Sequence, residues 1–318
     1  MSVKEIWLIG AGAMAIEYAK VLKDLPCSVT VIGRGGRSAT IFEEKTGIHV
    51  VCGGLAEYLM HTENRPDMAI VATGVLDIAE NARFLMDAGV KRVLLEKPGG
   101  INKQEIDTLS QRADIVGGDI FIAYNRRFYA SVLGAQTIIK EDGGVTSFQF
   151  DFTEWTSVIE KLEKPAKELN SWFLTNSGHV LDMAFFLCGE PARLEPLVAG
   201  NLPWHLAGSI FVGTGISKSG ALFCYHANWD SAGRWGVEVN TAKRKLIFRP
   251  LEKLQIMMKD SVEIKFAELN YELDEKYKPG IYLQTQAFLN SEDQYFMTIQ
   301  QQAERMIWNY KIIDTEIS

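Results

Sequence analysis

Short apolar runs alternate with amphipathic segments over the first 123 residues. Runs such as 6–9 and 68–72 have the length and composition of strands buried on both faces of a sheet. The segment 77–88 spaces its apolar residues three and four apart and is followed by Gly89, which predicts a helix closed by glycine. This alternation predicts a doubly wound parallel sheet of the α/β class, with strands at 6–9, 29–32, 50–51, 68–72, 93–95 and 120–123.

The pattern changes from about residue 125. Phe148, Phe150 and Phe152 alternate with polar residues, which predicts a half-buried strand. Residues 294–313 place apolar side chains on one stripe and predict an amphipathic helix. Consecutive strand-like runs without helices between them predict a mainly antiparallel sheet with one open face, at 209–213, 221–227, 235–242, 245–249, 254–258 and 262–266. We therefore predict two domains, 1–123 and 124–318, the second of the α+β class.

Charge and composition narrow the function classes. The 318 residues carry a net charge of -7, which argues against nucleic acid or a membrane surface as a partner. The four cysteines are scattered and predict reduced thiols in a cytoplasmic protein. The five histidines show no ligand spacing, so we expect no metal. Because the chain enters a strand at once and has no long apolar run, we also expect neither a signal peptide nor a membrane helix.

A glycine pattern follows the first strand directly. Gly10 and Gly12 begin a Gly-x-Gly-x-x-Ala sequence that leads into a helix. The first glycine allows a tight turn, and the second lets the backbone approach a pyrophosphate. The free amides at the helix start, at Ala13 and Met14, would face the phosphates. The pattern thus predicts a dinucleotide site of the Rossmann type, the alternative being a plain tight turn.

Basic residues follow the second strand, where an enzyme that prefers NAD would place Asp or Glu against the ribose hydroxyls. This chain instead has Arg34, Arg37 and Ser38 among glycines, which suit the 2′-phosphate of NADP. The alternative is a solvated basic turn. Thr73, at the end of the fourth predicted strand, is a further candidate for cofactor contact, and NAD stays open as the cofactor.

A lysine follows the fifth predicted strand. Glu96, Lys97 and Pro98 follow 93–95, and ligands of open parallel sheets bind beyond the carboxyl ends of the strands. A lysine that is partly desolvated there can have its pKa lowered enough for acid–base catalysis. Pro98 holds Lys97 in extended geometry. The alternative is an ordinary solvated lysine in a loop.

A second candidate group lies on a helix that begins near Asn176 and ends at Gly189. Asn176, His179 and Asp182 are spaced by three and share one helical face. A histidine with a carboxylate one turn away is suited to proton transfer. The alternative is that Asn176 or Ser177 caps the helix and that His179 is a core side chain.

Four segments, taken in order, resemble the Gfo/Idh/MocA family of oxidoreductases: 10–15, 96–98, 124–128 and 178–182. The resemblance implies a Rossmann domain, a second α/β domain with an open, mainly antiparallel sheet, and hydride transfer at a carbinol or keto carbon of a sugar or polyol. It matches Lys97 and His179 to the family's catalytic lysine and histidine. It implies substrate contacts at Tyr124, Arg126, Asn176 and Asp182, and cofactor contacts at Glu96, Lys97, Pro98 and Asn125.

The sequence departs from the family pattern at Thr175, where many relatives carry an aspartate four residues before the histidine. The sequence therefore leaves open which residue transfers the proton to or from the substrate. We predict an NADP(H)-preferring oxidoreductase for a sugar or nucleotide-linked sugar, assembled as a homodimer or homotetramer through the open sheet face. Two alternatives remain. One is a glycosidase that uses transient oxidation by a tightly held dinucleotide, and the other is a non-catalytic dinucleotide-sensing regulator.

Overall fold

The computed structural model describes residues 3–313 and contains two sheets with helices packed on them. The strands are β1 (Lys4–Ile9), β2 (Cys27–Ile32), β3 (Val50–Val51), β4 (Met68–Val71), β5 (Arg92–Glu96), β6 (Asp119–Ala123), β7 (Ser147–Asp151), β8 (Pro191–Ala199), β9 (Ile210–Ser217), β10 (Leu222–Asn228), β11 (Gly236–Asn240), β12 (Arg244–Phe248), β13 (Gln255–Met258), β14 (Ile264–Phe266) and β15 (Met297–Thr298). The helices are α1 (Ala13–Lys23), α2 (Arg37–Thr46), α3 (Leu55–Met60), α4 (Ile78–Asp87), α5 (Lys103–Val116), α6 (Ala130–Glu141), α7 (Thr156–Ile159), α8 (Ala166–Asn170), α9 (Gly178–Cys188), α10 (Glu272–Lys276), α11 (Ile281–Asn290) and α12 (Ile299–Ile312).

Sheet A has the order β15-β6-β5-β4-β1-β2-β3, and all its pairs are parallel except β15 with β6. Every residue of β5 is buried, because β4 and β6 pair with its two edges and helices cover the faces of the sheet. The order runs outward in both directions from β1 and β4, which is the doubly wound arrangement. The predicted Rossmann sheet is therefore confirmed.

Sheet B has the order β14-β13-β12-β11-β7-β10-β9-β8. Its pairs are antiparallel except β7 with β10, so the sheet is mixed and mostly antiparallel, as predicted. On one face, Phe148 stacks on Phe223 with ring centroids 4.9 Å apart, and Phe185 of α9 packs against both. On the other face, residues such as Leu222 are exposed, at 63%. The alternation of the phenylalanines in β7 therefore sets which face carries the core.

Several elements differ from the sequence prediction. The last helix begins at Ile299 rather than at 294, because Met297 and Thr298 pair with β6 instead. The strand β8 was not predicted, since prolines and charged residues interrupt its alternation, as an edge strand of a sheet tolerates. The helices α2, α6 and α11 were also not predicted.

The chain divides into two compact units. Unit 1 runs to Asn125 and includes Leu273–Ala303, and unit 2 comprises Arg126–Glu272 and the residues from Glu304 onward. The predicted boundary at 123/124 would instead assign 273–303 to the second domain. That segment joins unit 1 because β15 extends sheet A and α11 packs on α1. No helix within residues 3–313 is long and apolar enough to cross a membrane.

Candidate functional site

In unit 1, the turn after β1 is built around two glycines with different surroundings. Gly10 has a φ of 115°, and a Cβ placed on it would lie 2.5 Å from the carbonyl oxygen of Ala72. Gly12 has an ordinary φ of -86° and is the N-cap of α1, and a Cβ placed on it would meet nothing within 4 Å. Position 10 therefore has no room for a side chain, which requires glycine there. Gly12, in contrast, borders open space in front of the helix. Ala13 and Met14 are the first two residues of α1, so their amides point into that space.

The residues after β2 and β4 present polar groups in the same unit. Arg34 is 81% exposed and forms an ion pair with Asp77 at 3.2 Å (Nη2 to Oδ2). Arg37 and Ser38 are exposed in the first turn of α2, and the Ser38 hydroxyl donates to the Gly35 carbonyl at 3.3 Å. Thr73 has a buried Oγ1 that makes no hydrogen bond within the described chain. Its hydroxyl is therefore available to a ligand.

The end of β5 is fixed by contacts within unit 1. Glu96 is buried and accepts a hydrogen bond from the Tyr18 hydroxyl of α1 at 2.8 Å. Burial raises the pKa of Glu96, with the nearby Lys97 acting in the opposite direction. Lys97 is partly buried, and the following Pro98 is buried with its carbonyl accepting from the Gln302 amide at 3.0 Å. Glu96 and Pro98 thus hold the turn that carries Lys97.

Tyr124 and Asn125 follow β6 and are both buried. The Tyr124 hydroxyl lies 3.1 Å from the same Gln302 amide nitrogen that binds Pro98. The Asn125 amide donates to the carbonyl of Pro279 at 2.9 Å. In the structure, these two side chains therefore contact neighbouring segments of unit 1.

In unit 2, the predicted helix has an unusual start. Residues Phe173–Ser177 form a π-helical turn that continues into α9. Such turns are rare in proteins as a whole, and those that occur are frequently at functional sites. Neither Asn176 nor Ser177 caps the helix with its side chain, so the capping interpretation is wrong. Both instead donate to the buried carboxylate of Glu154, Asn176 at 3.0 Å and Ser177 at 2.7 Å.

Glu154 is a candidate site residue that the sequence reasoning missed. Its carboxylate also lies 3.6 Å from Nη1 of Arg234. Burial is the largest effect on its pKa, which is raised despite these hydrogen bonds and the arginine. The available signal was an acidic residue just beyond the carboxyl end of a predicted strand, the same signal that identified Lys97.

His179 and Asp182 share α9 but have different surroundings. His179 is buried, and its ring centroid lies 6.3 Å from that of Trp235. Asp182 is fully buried and accepts from Nε of Arg127 at 2.9 Å and from Nη1 of Arg305. Both oxygens of Asp182 are therefore engaged by arginines of the core.

Arg126 has aromatic neighbours. Its guanidinium carbon lies 5.0 Å from the Trp235 ring centroid and 5.8 Å from that of Tyr129. Arg234 lies 4.2 Å from the same indole centroid. Trp235 therefore contacts two arginines and the ring of His179, which brings Arg126 and His179 of the predicted set to one side chain.

The predicted residues thus form two groups. Unit 1 holds the glycine turn, the basic turn after β2, Thr73, the end of β5, Tyr124 and Asn125, whereas unit 2 holds Arg126, Asn176, His179 and Asp182. Among residues 3–313, no group of three or more His, Cys, Asp or Glu side chains is placed to hold a metal ion.

Comparisons with known proteins agree with this fold. Residues 4–124 match the model of the Gfo/Idh/MocA family, described as an oxidoreductase family with an NAD-binding Rossmann fold. The search of curated proteins found no match. Among solved structures, levoglucosan dehydrogenase in complex with NADH is 16% identical with a TM-score of 0.78, covering 98% of this chain and 96% of that one. The enzyme UDP-N-acetylglucosamine 3-dehydrogenase from Acidithiobacillus ferrooxidans is 13% identical with a TM-score of 0.75, covering 99% and 98%. An oxidoreductase from Agrobacterium radiobacter, in complex with NAD+, L-tartaric acid and magnesium, is 14% identical with a TM-score of 0.76, covering 98% and 95%.

Proposed function

Since residues 4–124 are an NAD-binding Rossmann domain of the Gfo/Idh/MocA oxidoreductase family, we propose that the chain is a dinucleotide-dependent dehydrogenase or reductase of a sugar or sugar derivative. The observation that carries this proposal is the carboxyl edge of sheet A. There β1 is followed by the open space in front of Gly12, and β5, on the other side of β4, is followed by Lys97. The strand spacing puts the ends of β1 and β5 about 10 Å apart.

The residues of unit 1 fit a nicotinamide dinucleotide. The open space at Gly12 and the first amides of α1 suit its pyrophosphate, and the unpaired hydroxyl of Thr73 suits a further polar contact. When bound, the dinucleotide supplies the hydride donor or acceptor that protein side chains lack. We assign Gly10, Gly12, Ala13, Met14, Thr73, Glu96, Lys97, Pro98 and Asn125 to its site, with Glu96, Pro98 and Asn125 acting through the turns they hold.

For the cofactor, we propose a preference for NADP(H). Arg34 is exposed at the end of β2, and Arg37 and Ser38 are exposed in the turn of helix that follows. A fork of guanidinium nitrogens suits a 2′-phosphate better than a ribose hydroxyl. Arg34, which pairs with Asp77 here, would exchange that carboxylate for the phosphate when the cofactor binds.

Lys97 and His179 are the proposed catalytic side chains. A lysine ammonium donates a hydrogen bond to a substrate oxygen and gives it a proton as a carbonyl is reduced, whereas the neutral amine takes the proton as a hydroxyl is oxidised. An imidazole does the same at a pH near neutrality. The two residues belong to different units, so each assignment is tested separately.

The sugar class is supported by the structural neighbours, two of which carry the names of sugar dehydrogenases. Tyr124, Arg126, Asn176 and Asp182 are the proposed substrate residues. For Tyr124 and Asp182, whose polar atoms are engaged inside the protein, the role is to position neighbours. We also propose a cytoplasmic homodimer or homotetramer, supported by four free cysteines and by the exposed apolar residues of sheet B, such as Leu222 and Phe266.

The test is Lys97→Met with Lys91→Met as its control. Lys91 is an exposed lysine that precedes the opposite end of β5, so its substitution removes the same charge away from the site. We expect Lys97→Met to lower turnover about 10²- to 10⁴-fold, the range typical of a lost acid–base group, with the Kd for the dinucleotide nearly unchanged. Lys91→Met should leave both values unchanged.

Turnover by Lys97→Met at the wild-type rate would contradict the assignment. Net hydrolysis of a glycoside with no net change in nicotinamide absorbance would favour the glycosidase. Binding of a dinucleotide without turnover of any sugar or sugar derivative would favour the regulator.

A further inference from the structure

The buried arginines of unit 2 lie against carboxylates. Asp182 is shared by Arg127 and Arg305, which are both buried. Each of these guanidiniums thus has a carboxylate within ion-pair distance. Arg305 also contacts Glu190, and Arg234 faces Glu154.

Arg126 differs from these arginines. No carboxylate of the described chain lies within 4 Å of its guanidinium nitrogens, and its buried Nε donates to no residue in the same range. The residue as a whole is half-buried. Arg126 is therefore a cation without a carboxylate partner in residues 3–313, whereas Arg127, Arg234 and Arg305 each have one.

The surroundings of Arg126 hold it in place without neutralising it. The Trp235 indole and the Tyr129 ring lie near its guanidinium, at centroid distances of 5.0 and 5.8 Å. Such contacts orient the planar guanidinium and use none of its hydrogen-bond donors. The same indole contacts His179, so the Arg126 guanidinium and the proposed catalytic imidazole both lie next to the Trp235 ring.

Electrostatics favour an anion at this place. Burial lowers the pKa of Arg126, and the like charge of Arg234 acts in the same direction. Tyr129, Glu252 and Asp182 act in the opposite direction and do not offset burial. A bound anion would relieve this cost, because an opposite charge favours the charged form.

We propose that the substrate of this enzyme carries an anionic group, a carboxylate or a phosphate, and that Arg126 binds it on the face of Trp235. This inference rests on the proposed function, since it names the class of sugar that the oxidoreductase takes. The neutral part of the sugar would then extend from Trp235 toward His179. Sugar acids, sugar phosphates and nucleotide-linked sugars share the required chemistry.

The experiment compares charged sugars with neutral counterparts of the same shape. Hexuronates of the gluco, galacto and manno series are paired with their hexuronamides, and hexose 6-phosphates and UDP-hexoses are paired with the free hexoses. Each probe is added to the full chain saturated with NADPH or NADH. The Tm gives binding, and nicotinamide absorbance gives kcat/KM. The arm that responds identifies carboxylate or phosphate as the source of the charge.

We expect one charged arm to bind at least about 30-fold more tightly than its neutral counterpart, as for a charge pair that loses one partner. Arg126→Gln should abolish that preference, and Arg126→Lys should restore part of it, because the charge remains while the fork is lost. Arg193→Gln, which removes an exposed arginine of unit 2, is the control and should change nothing.

Equal binding of charged and neutral probes by the wild type would overturn the proposal, and this result needs no variant to fold. A preference that survives in Arg126→Gln would also overturn it, as would binding of none of the probes. Arg126-dependent binding without turnover would support the anion site and contradict the oxidoreductase. Turnover of neutral sugars alone would support the oxidoreductase and contradict the anion site.

Discussion

The candidate groups of the two units are built in different ways. In unit 1, backbone geometry at strand ends makes the site, with Gly10 packed against Ala72 and Gly12 facing open space. In unit 2, side chains that are distant in sequence make it, as where Asn176 meets Glu154. The first kind of site can be predicted from the spacing of residues close together in the sequence. The second kind depends on which buried charged residues the fold brings together. Substitutions should therefore act mainly on ligand binding in unit 1 and on folding stability in unit 2.

The largest effect should come from Asp182→Asn in unit 2. The variant leaves Arg127 buried without its counter-charge and Arg305 with Glu190 alone, so we expect a loss of about 3–5 kcal/mol in the free energy of unfolding. The control is Asp87→Asn in unit 1, where the carboxylate pairs with Arg83 and Arg112 at the surface and should contribute at most about 1 kcal/mol. Urea unfolding measures both. Equal losses would show that Asp182 is not the structural centre of this network.

A smaller effect, on binding alone, should come from Arg34→Gln in unit 1. A charge-assisted hydrogen bond to the 2′-phosphate contributes about 1.5–3 kcal/mol, so the Kd for NADPH should rise about 10- to 150-fold. The Kd for NADH and the Tm should change little, because Arg34 is exposed. Titration calorimetry with both cofactors is the measurement, and Arg83→Gln is the control. An equal loss for NADPH and NADH would contradict the preference for NADP(H).

The smallest effect should be a pH dependence at Glu154. Because its pKa is raised in the folded protein, the folded state binds this proton more tightly than the unfolded state. The free energy of unfolding therefore falls as pH rises from the usual glutamate pKa through the raised one. Glu154→Gln removes this contribution, so the wild type should lose stability relative to the variant as the pH rises from the usual glutamate pKa of about 4. Unfolding curves over that range measure it, with Glu195→Gln, an exposed residue, as the control. Parallel profiles of wild type and Glu154→Gln would contradict it.

The same contrast explains what the sequence could predict. The strands of sheet A, the glycine turn and the position of Lys97 follow from apolar runs and from the residues that end them. Spacing on α9 predicted a pair of His179 with Asp182, yet the arginine that binds Asp182 through two nitrogens is 55 residues away, at Arg127. Helical periodicity reports which residues share a face, and it carries no information on what faces them from other elements.

Glu154 and the segment 273–303 show the same limit. Glu154 binds Asn176 across 22 residues, and β15 joins sheet A from the far end of the chain. Both contacts are set by tertiary packing, which a single sequence does not encode at any fixed spacing. The π-helical turn at Phe173–Ser177 shifts the helix start in a way that a period of 3.6 residues cannot reveal.

Transfer of a labelled hydride tests the central proposal most directly. The wild-type chain is incubated with NADPH or NADH that carries deuterium at the reactive nicotinamide carbon, together with the keto forms of the sugars above, and the product is analysed by mass spectrometry. We predict one deuterium on the new carbinol carbon, and much less labelled product per unit time from Lys97→Met with the dinucleotide still bound. Product without deuterium, or labelled product formed by Lys97→Met at the wild-type rate, would contradict it.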